Sequence, residues 1–273
     1  MGNNKISDVA IIAGQGLLPK IIYEGCIKKG IKSVVIGLKD EFNENLFSNI
    51  KYKLFPPHKI SSIVEYLKTI DVYNIVIVGR VRRKHLSKLI LDKMGLQMLR
   101  EIVRDGFNDN NIYAVITKTI EKEGFKIIPP ELIAGDILAK KGIMNSVKIT
   151  EELEKDIDEG VNILRGVIRY DIGQALIINN GLILGVEAIE GTNNLLKRCA
   201  KYKENTEGGI LIKLHKPHQD QRLDLPCIGP DTIKIIARHG YKGIVVEAKK
   251  SIIIDSVQSI KLANDHGIFI YGV

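Results

Sequence analysis

Between positions 213 and 226 the chain reads Lys213-Leu214-His215-Lys216-Pro217-His218-Gln219-Asp220-Gln221-Arg222-Leu223-Asp224-Leu225-Pro226. Two lysines, an arginine, two histidines and two aspartates share one loop between prolines, directly after an apolar run. Carboxylates so spaced can coordinate Mg²⁺, which takes oxygen ligands and keeps several waters. They can also orient a water molecule while lysine and arginine neutralise charge developing on phosphoryl oxygens. The competing reading is a solvated loop of mixed charge. His215 and His218 lack the helical spacing with an intervening glutamate that a zinc site uses, so zinc is not expected.

Two further constellations lie in the same half. Asp171, Gly173 and Gln174 precede the runs that flank Asn179-Asn180-Gly181, a hairpin signal. Glu187-Ala188-Ile189-Glu190-Gly191-Thr192-Asn193 follows them. In an extended strand Glu187 and Glu190 face opposite ways unless the strand ends by Ala188. Thr192 and Asn193 also suit a helix cap. In the first half, Gly14-Gln15-Gly16-Leu17-Leu18-Pro19 joins a strand-like run to a helix-like one. Such a turn either packs tightly or brings a phosphate to amides at a helix start. The third glycine of the dinucleotide fingerprint is missing, and no acidic residue follows the second strand for a ribose. Gly79-Arg80-Val81-Arg82-Arg83-Lys84-His85 ends another strand-like run, where open α/β sheets bind ligands. Its guanidinium groups suit phosphate, with a solvated basic loop as the alternative.

The elements that must position these groups follow from the apolar rhythm. Strand-like runs at 9–13, 33–37, 51–55, 74–78 and 125–128 alternate with helical spacing at 17–30, 60–70, 86–103 and 110–123. That alternation predicts a Rossmann-like layered domain with a parallel sheet over residues 1–130. A linker is expected over 131–147 and a C-terminal α+β domain carrying the catalytic loop over 148–273. Its elements are a charged helix at 151–168, the hairpin at 174–186, a helix at 191–203 and strands at 210–214, 244–247, 252–254 and 268–271. Helices are expected to open at Pro230 and to be capped by Asp255.

The 273 residues are 45% hydrophobic and 26% charged, which excludes a disordered or collagen-like chain. The formal net charge of +8 suits anionic partners. With aromatics at 5% and no tryptophan, base-stacking platforms are scarce and no nucleic-acid partner is expected. Cys26, Cys199 and Cys227 form no CxxC pair, and a reducing cytoplasm is the expected setting. No apolar run reaches the ~20 residues of a membrane span. Neither a secretory signal nor a myristoylation pattern is read at the N-terminus.

The chain resembles the LpxI-type UDP-2,3-diacylglucosamine pyrophosphatases of lipid A biosynthesis along nearly its whole length. The resemblance runs from Ile12–Pro19 to Ile268–Val273, and its most specific segments are Gly79-Arg80-Val81, Asp171-Ile172-Gly173-Gln174, Val186 to Thr192, and Lys216-Pro217 through Gln219-Asp220, Arg222, Asp224-Leu225-Pro226 and Gly229-Pro230. The resemblance implies Mg²⁺-dependent hydrolysis of the nucleotide-activated lipid to UMP and 2,3-diacylglucosamine 1-phosphate, with attack at the sugar-side phosphorus. It also implies a homodimer, and Asp224 as the essential aspartate. On this reading Asp224 with Asp220 fixes Mg²⁺ and the water, and Glu187 and Glu190 are second choices as metal ligands. Arg222, Lys213 and Lys216 hold the pyrophosphate. Gly14, Gly16 and Arg80 hold nucleotide or phosphate, and Gln174 and Thr192 complete the substrate-binding set. Closure of two domains over the bond is expected, together with transient contact at the inner membrane face. The chain departs from the family pattern at Asn193 (an aspartate is expected), His218 (glycine), Lys84 (proline) and Asn108-Asp109-Asn110 (Gly-Asp-Asp). Asn193 is therefore not taken as a metal ligand. The rival readings are an NAD-linked or sugar-nucleotide oxidoreductase and a non-catalytic module for anionic lipid.

Overall fold

A short strand buried along nearly its whole length, Asp8–Ala13 (β1), runs through the middle of the first sheet. Such all-apolar strands belong to parallel sheets covered on both faces. The computed structural model describes residues 6–82, 92–107, 109–203, 207–217 and 219–273. The chain divides into two units, one of residues 1–136 with 220–224, the other of 137–219 with 225–273.

In the first unit β1 pairs in parallel with Lys32–Leu38 (β2) and Asn74–Val78 (β4). Tyr52–Phe55 (β3) and Lys126–Ile127 (β5) complete an all-parallel sheet of order β3-β2-β1-β4-β5. The crossover helices are Leu18–Lys29 (α1), Ile60–Thr69 (α2), Lys93–Asp105 (α3) and Asp109–Lys122 (α4). This is the Rossmann-like layering that the alternating pattern predicts. α3 begins at Lys93 because Asp92 caps it, accepting the Gly95 amide at 2.7 Å. Leu86–Leu91, part of the helix expected over 86–103, lies outside the described residues. A short helix, Pro130–Ala134 (α5), occupies part of the stretch read as linker.

The second unit is built on a mixed sheet of order β6-β13-β11-β9-β7-β8. Ile210–Lys213 (β9), Gly243–Val246 (β11) and Phe269–Gly272 (β13) are parallel. The hairpin Ala175–Asn179 (β7) and Leu182–Val186 (β8), and the edge strand Gly142–Ile143 (β6), run antiparallel. Asn180 and Gly181, at φ 51° and 76°, make the turn that Asn179-Asn180-Gly181 predicts. Buried Asp156 accepts both their amides at 2.8 and 2.7 Å. That carboxylate lies on Glu151–Val167 (α6), whose Ile157, Val161 and Leu164 pack under one face of the sheet. Thr192–Cys199 (α7), Pro230–Arg238 (α8) and Ser256–Asp265 (α9) contribute to the other core, with Leu195, Ile233, Ile236 and Ala263. Asp255 caps α9 as expected, accepting the Gln258 amide. Cys227–Ile228 (β10) pairs with Ile252–Ile253 (β12) in a separate two-stranded ladder.

Candidate active site

In the second unit the strand ends decide where the polar groups go. β7 opens where β9 closes, with Ala175 opposite Lys213, and β8 ends beside the same position. The Glu187 amide donates to the Ala175 carbonyl at 2.7 Å and the Leu214 amide to the Gln174 carbonyl at 3.0 Å. Gln174, Glu187 and Lys213 therefore meet at one rim, the carboxyl end of β9 and β11, where open sheets of this kind bind ligands. Because β8 stops at Val186, Glu187 is free of strand alternation and turns inward, 7% exposed.

The groups at this rim form a chain. Lys213 Nζ donates to Thr192 Oγ1 and to the Cys227 carbonyl, both at 3.1 Å. Thr192 Oγ1 donates to Glu187 Oε1 at 2.8 Å, and Glu187 Oε2 accepts the Gln174 amide at 3.3 Å. Thr192 is thus the first residue of α7 rather than its cap, and its hydroxyl serves the cluster. The Gln174 side-chain oxygen is buried with no partner among the described residues. Lys216 reaches Asp171 at 2.6 Å, fixing a residue held at φ 55°. Next to this chain the His215 amide donates to Glu247 Oε2 at 3.1 Å, and Lys250 Nζ donates to Glu247 Oε1 at 3.0 Å. Among the described residues His215 Nε2 is buried without a partner, and burial lowers the imidazole pKa against the opposing pull of Glu247. Glu190 points elsewhere. It accepts from Arg198 at 2.7 Å and the Ala188 amide at 3.1 Å, and the Arg198 hydrogen bond lowers its pKa.

Asp220–Asp224 belongs to the first unit, where Leu223 packs against the core below the parallel sheet. Arg222 turns back on Asp220, donating from Nε at 3.0 Å and Nη2 at 2.8 Å, while its backbone amide also reaches Asp220 at 3.0 Å. Arg222 Nη1 braces on Glu121 of α4 at 2.6 Å. Burial pushes the Asp220 carboxyl up, but the Arg222 hydrogen bonds outweigh it and leave the pKa below the usual carboxylate value. The Asp224 amide closes the turn on the Asp220 carbonyl at 3.0 Å. Asp224 is half-buried within this fixed turn.

The glycine turn of the first unit is packed for contact. Gly14 donates to Val78 at 2.9 Å, and Gln15 and Arg80 exchange backbone hydrogen bonds at 2.9 and 3.1 Å. A Cβ on Gly14 would lie 2.7 Å from the Arg80 carbonyl, and one on Gly79 (φ 92°) 2.7 Å from the Gly14 carbonyl carbon. Gly16 is exposed with open space around it, and Arg80 is exposed beside the turn. Arg82 is held by the buried Glu41 carboxylate at 3.0 Å. Arg83, Lys84 and His85 lie outside the described residues, as does His218.

The four carboxylates expected for Mg²⁺ fall into two separate sets, Asp220 and Asp224 in the first unit, Glu187 and Glu190 in the second. Among the described residues no three His, Cys, Asp or Glu side chains are grouped to hold a metal ion. Asp220 is engaged by Arg222, Glu190 by Arg198 and Glu187 by Thr192. Magnesium takes oxygen ligands and keeps several waters, so carboxylates such as these are chemically suitable donors to it. Glu121, Thr117, Glu247 and the Cys227 carbonyl were not legible as site neighbours. They reach their partners across large sequence separations, and a helix-surface glutamate such as Glu121 carries no local signal.

A Rossmann-like first half and a mixed α/β second half define a two-domain α/β protein, with an Asp-x-Arg-x-Asp turn in one unit and a buried lysine at a strand's carboxyl end in the other. Residues 8–137 match the family model of the LpxI N-terminal domain and 140–271 that of the LpxI C-terminal domain, so the chain belongs to the LpxI family. It is 32% identical over 279 aligned residues to a Caulobacter vibrioides protein named UDP-2,3-diacylglucosamine pyrophosphatase LpxI, covering 97% of both chains. A solved structure of the biotin carboxylase subunit of pyruvate carboxylase shares 13% identity over 74% of this chain and 41% of its own, with a TM-score of 0.26.

Proposed function

We propose that this protein hydrolyses the diphosphate bond of UDP-2,3-diacylglucosamine in lipid A biosynthesis, releasing UMP and 2,3-diacylglucosamine 1-phosphate. The observation that carries the reading is the 32% identity, spanning 97% of both chains, to a relative bearing that activity in its name. The geometry supports it with a fixed Asp220–Asp224 turn and an ammonium held in place at the rim of the second sheet.

Asp224 orients the water and takes its proton as the new P–O bond forms at the sugar-side phosphorus. The bridging oxygen leaves with UMP. Arg222, held charged by Asp220 and Glu121, and Lys213 and Lys216 balance the anionic oxygens. Gln174 and Thr192 orient the substrate, and the turn at Gly14, Gly16 and Arg80 takes the nucleotide or phosphate. Magnesium, held by Asp224, would add charge neutralisation on the diphosphate when bound. The same reading includes a homodimer, a cytoplasmic setting and transient contact with the inner membrane face.

Incubation with UDP-2,3-diacylglucosamine and Mg²⁺ in heavy-oxygen water tests it. Label in 2,3-diacylglucosamine 1-phosphate is expected. Label in UMP overturns the sugar-side attack, and absence of UMP overturns the function.

A further inference from the structure

Helix α3 is apolar on two sides. Gly95, Met98 and Ile102 are buried, the latter two in a core with Ile112 and Val115. On the outward side Leu96 is 43% exposed and Val103 59%, and Phe107, just past the helix end, is 64% exposed. Positions 96, 100 and 103 step by four and three residues, which places them in one longitudinal stripe, and Phe107 follows Gly106, whose φ of 103° ends the helix. The third member of that stripe is Arg100, and Lys93 lies on the same side one turn back from Leu96. Among the described residues neither cation has a carboxylate within ion-pair distance, whereas neighbouring Arg104 pairs with Asp105 and Glu101 with Lys118.

This stripe is held in place. Asp92 accepts amides from Ser61 of α2 at 3.0 Å and from Gly95 at 2.7 Å, anchoring the helix start. The Asn111 amide donates to the Asp105 and Gly106 carbonyls, fixing the turn that carries Phe107. Single exposed apolar residues are ordinary, but Leu96 and Val103 on one helix face, with Arg100 between them and exposed Phe107 just past the helix end, are a pattern with its own chemistry.

We propose that the outward face of α3 (Leu96, Arg100 and Val103, with Lys93), together with Phe107 just past its end, is an interfacial binding surface for an anionic lipid bilayer. Three side chains can cover only roughly a few hundred Å², well short of the ~1,600 Å² that a stable protein interface buries. The same amount of apolar surface is enough for a helix lying in the headgroup layer, where basic residues are drawn to anionic lipid. No helix among the described residues is long and apolar enough to cross a membrane, so attachment through this face would be peripheral. The inference rests on the acyl-chain substrate of the proposed function, since such a substrate resides in a membrane.

The test is co-sedimentation of the full chain with unilamellar vesicles of phosphatidylcholine, with and without 30% phosphatidylglycerol. Wild type should bind the anionic vesicles and bind neutral ones weakly. The double variant Val103→Asp with Phe107→Ser should lose at least tenfold in partitioning, and Arg100→Gln should lose several-fold and most of the preference for anionic lipid. Hydrolysis of detergent-dispersed substrate should stay unchanged in both, which also shows that they fold. Equal vesicle binding by wild type and the double variant overturns the proposal, as does failure of wild type to bind. A change of oligomeric state in the double variant, with vesicle binding retained, assigns the face to a second copy instead and also overturns it. If stripe-dependent vesicle binding occurs without any hydrolysis, the surface stands and the proposed reaction falls.

Discussion

Lys213 holds its ammonium 3.1 Å from the Thr192 hydroxyl, and among the described residues no carboxylate lies within ion-pair distance of it. At 8% exposure this is a buried cation satisfied by a hydroxyl and the Cys227 carbonyl, with Glu187 one hydrogen bond further away. Burying a cation without a direct counter-ion is unfavourable, so an anionic ligand at this position would relieve that cost.

Lys213→Met should therefore melt no lower than wild type, because an apolar chain of similar volume removes the unpaired charge. Its turnover should fall on the order of 100-fold, as expected when one donor to a developing anion is deleted. Thermal unfolding and kcat measured on the same preparation check this. A loss of stability with activity retained would assign Lys213 to structure alone.

Arg222→Lys keeps the charge but removes the fork that grips Asp220 from two nitrogens while bracing on Glu121. Because these side chains are partly exposed, the stability change should stay within about 1 kcal/mol. The turn leading to Asp224 loosens, however, and a displacement of that kind can lower turnover on the order of 100-fold. Steady-state kinetics of Arg222→Lys decide it, and near-wild-type kcat would separate the grip from catalysis.

At the first sheet, Gly14→Ala should destabilise by about 1–3 kcal/mol, since its new methyl meets the Arg80 carbonyl at a distance no real Cβ keeps. Urea unfolding followed by circular dichroism reports it. An unchanged midpoint would mean that the two strand ends part without loss.

His215 gives stability a pH dependence of known sign. Burial holds its folded pKa below the ordinary value of about 6.5, so the folded chain binds fewer protons than the unfolded chain as pH drops through that range. The stabilisation is complete above about pH 6.5 and is lost as pH falls toward and through the folded value. The melting temperature of wild type should decline between neutral and mildly acidic pH more steeply than that of His215→Gln. Parallel curves would remove His215 as the source.

Much of this architecture is legible from apolar spacing. The β1–β4 runs and α1, α2, α4 and α6 follow from periodicity, and Asn179-Asn180-Gly181 announces its turn because only a left-handed pair joins twisted strands so tightly. Pro230 and Asp255 mark helix starts by local chemistry. The short ladder of Cys227–Ile228 on Ile252–Ile253 and the edge strand Gly142–Ile143 carry no such signal, because two-residue strands exist only through their distant partners. Site residues show the same divide. Loop 213–224 announces its chemistry by composition, yet its lysines and aspartates settle in different units, and which carboxylate Arg222 grips is decided by tertiary packing. Glu187 turned inward because β8 stops one residue before it, an end point that alternation does not reveal.

The central claim is that Asp224 carries the hydrolysis. The direct measurement is kcat for UDP-2,3-diacylglucosamine in Asp224→Asn against wild type, with circular dichroism and melting temperature recorded on both. The account predicts unchanged folding and a fall on the order of 1,000-fold, the range for loss of a positioned proton acceptor. Turnover within about threefold of wild type, below the smallest loss expected for such a group, would contradict it.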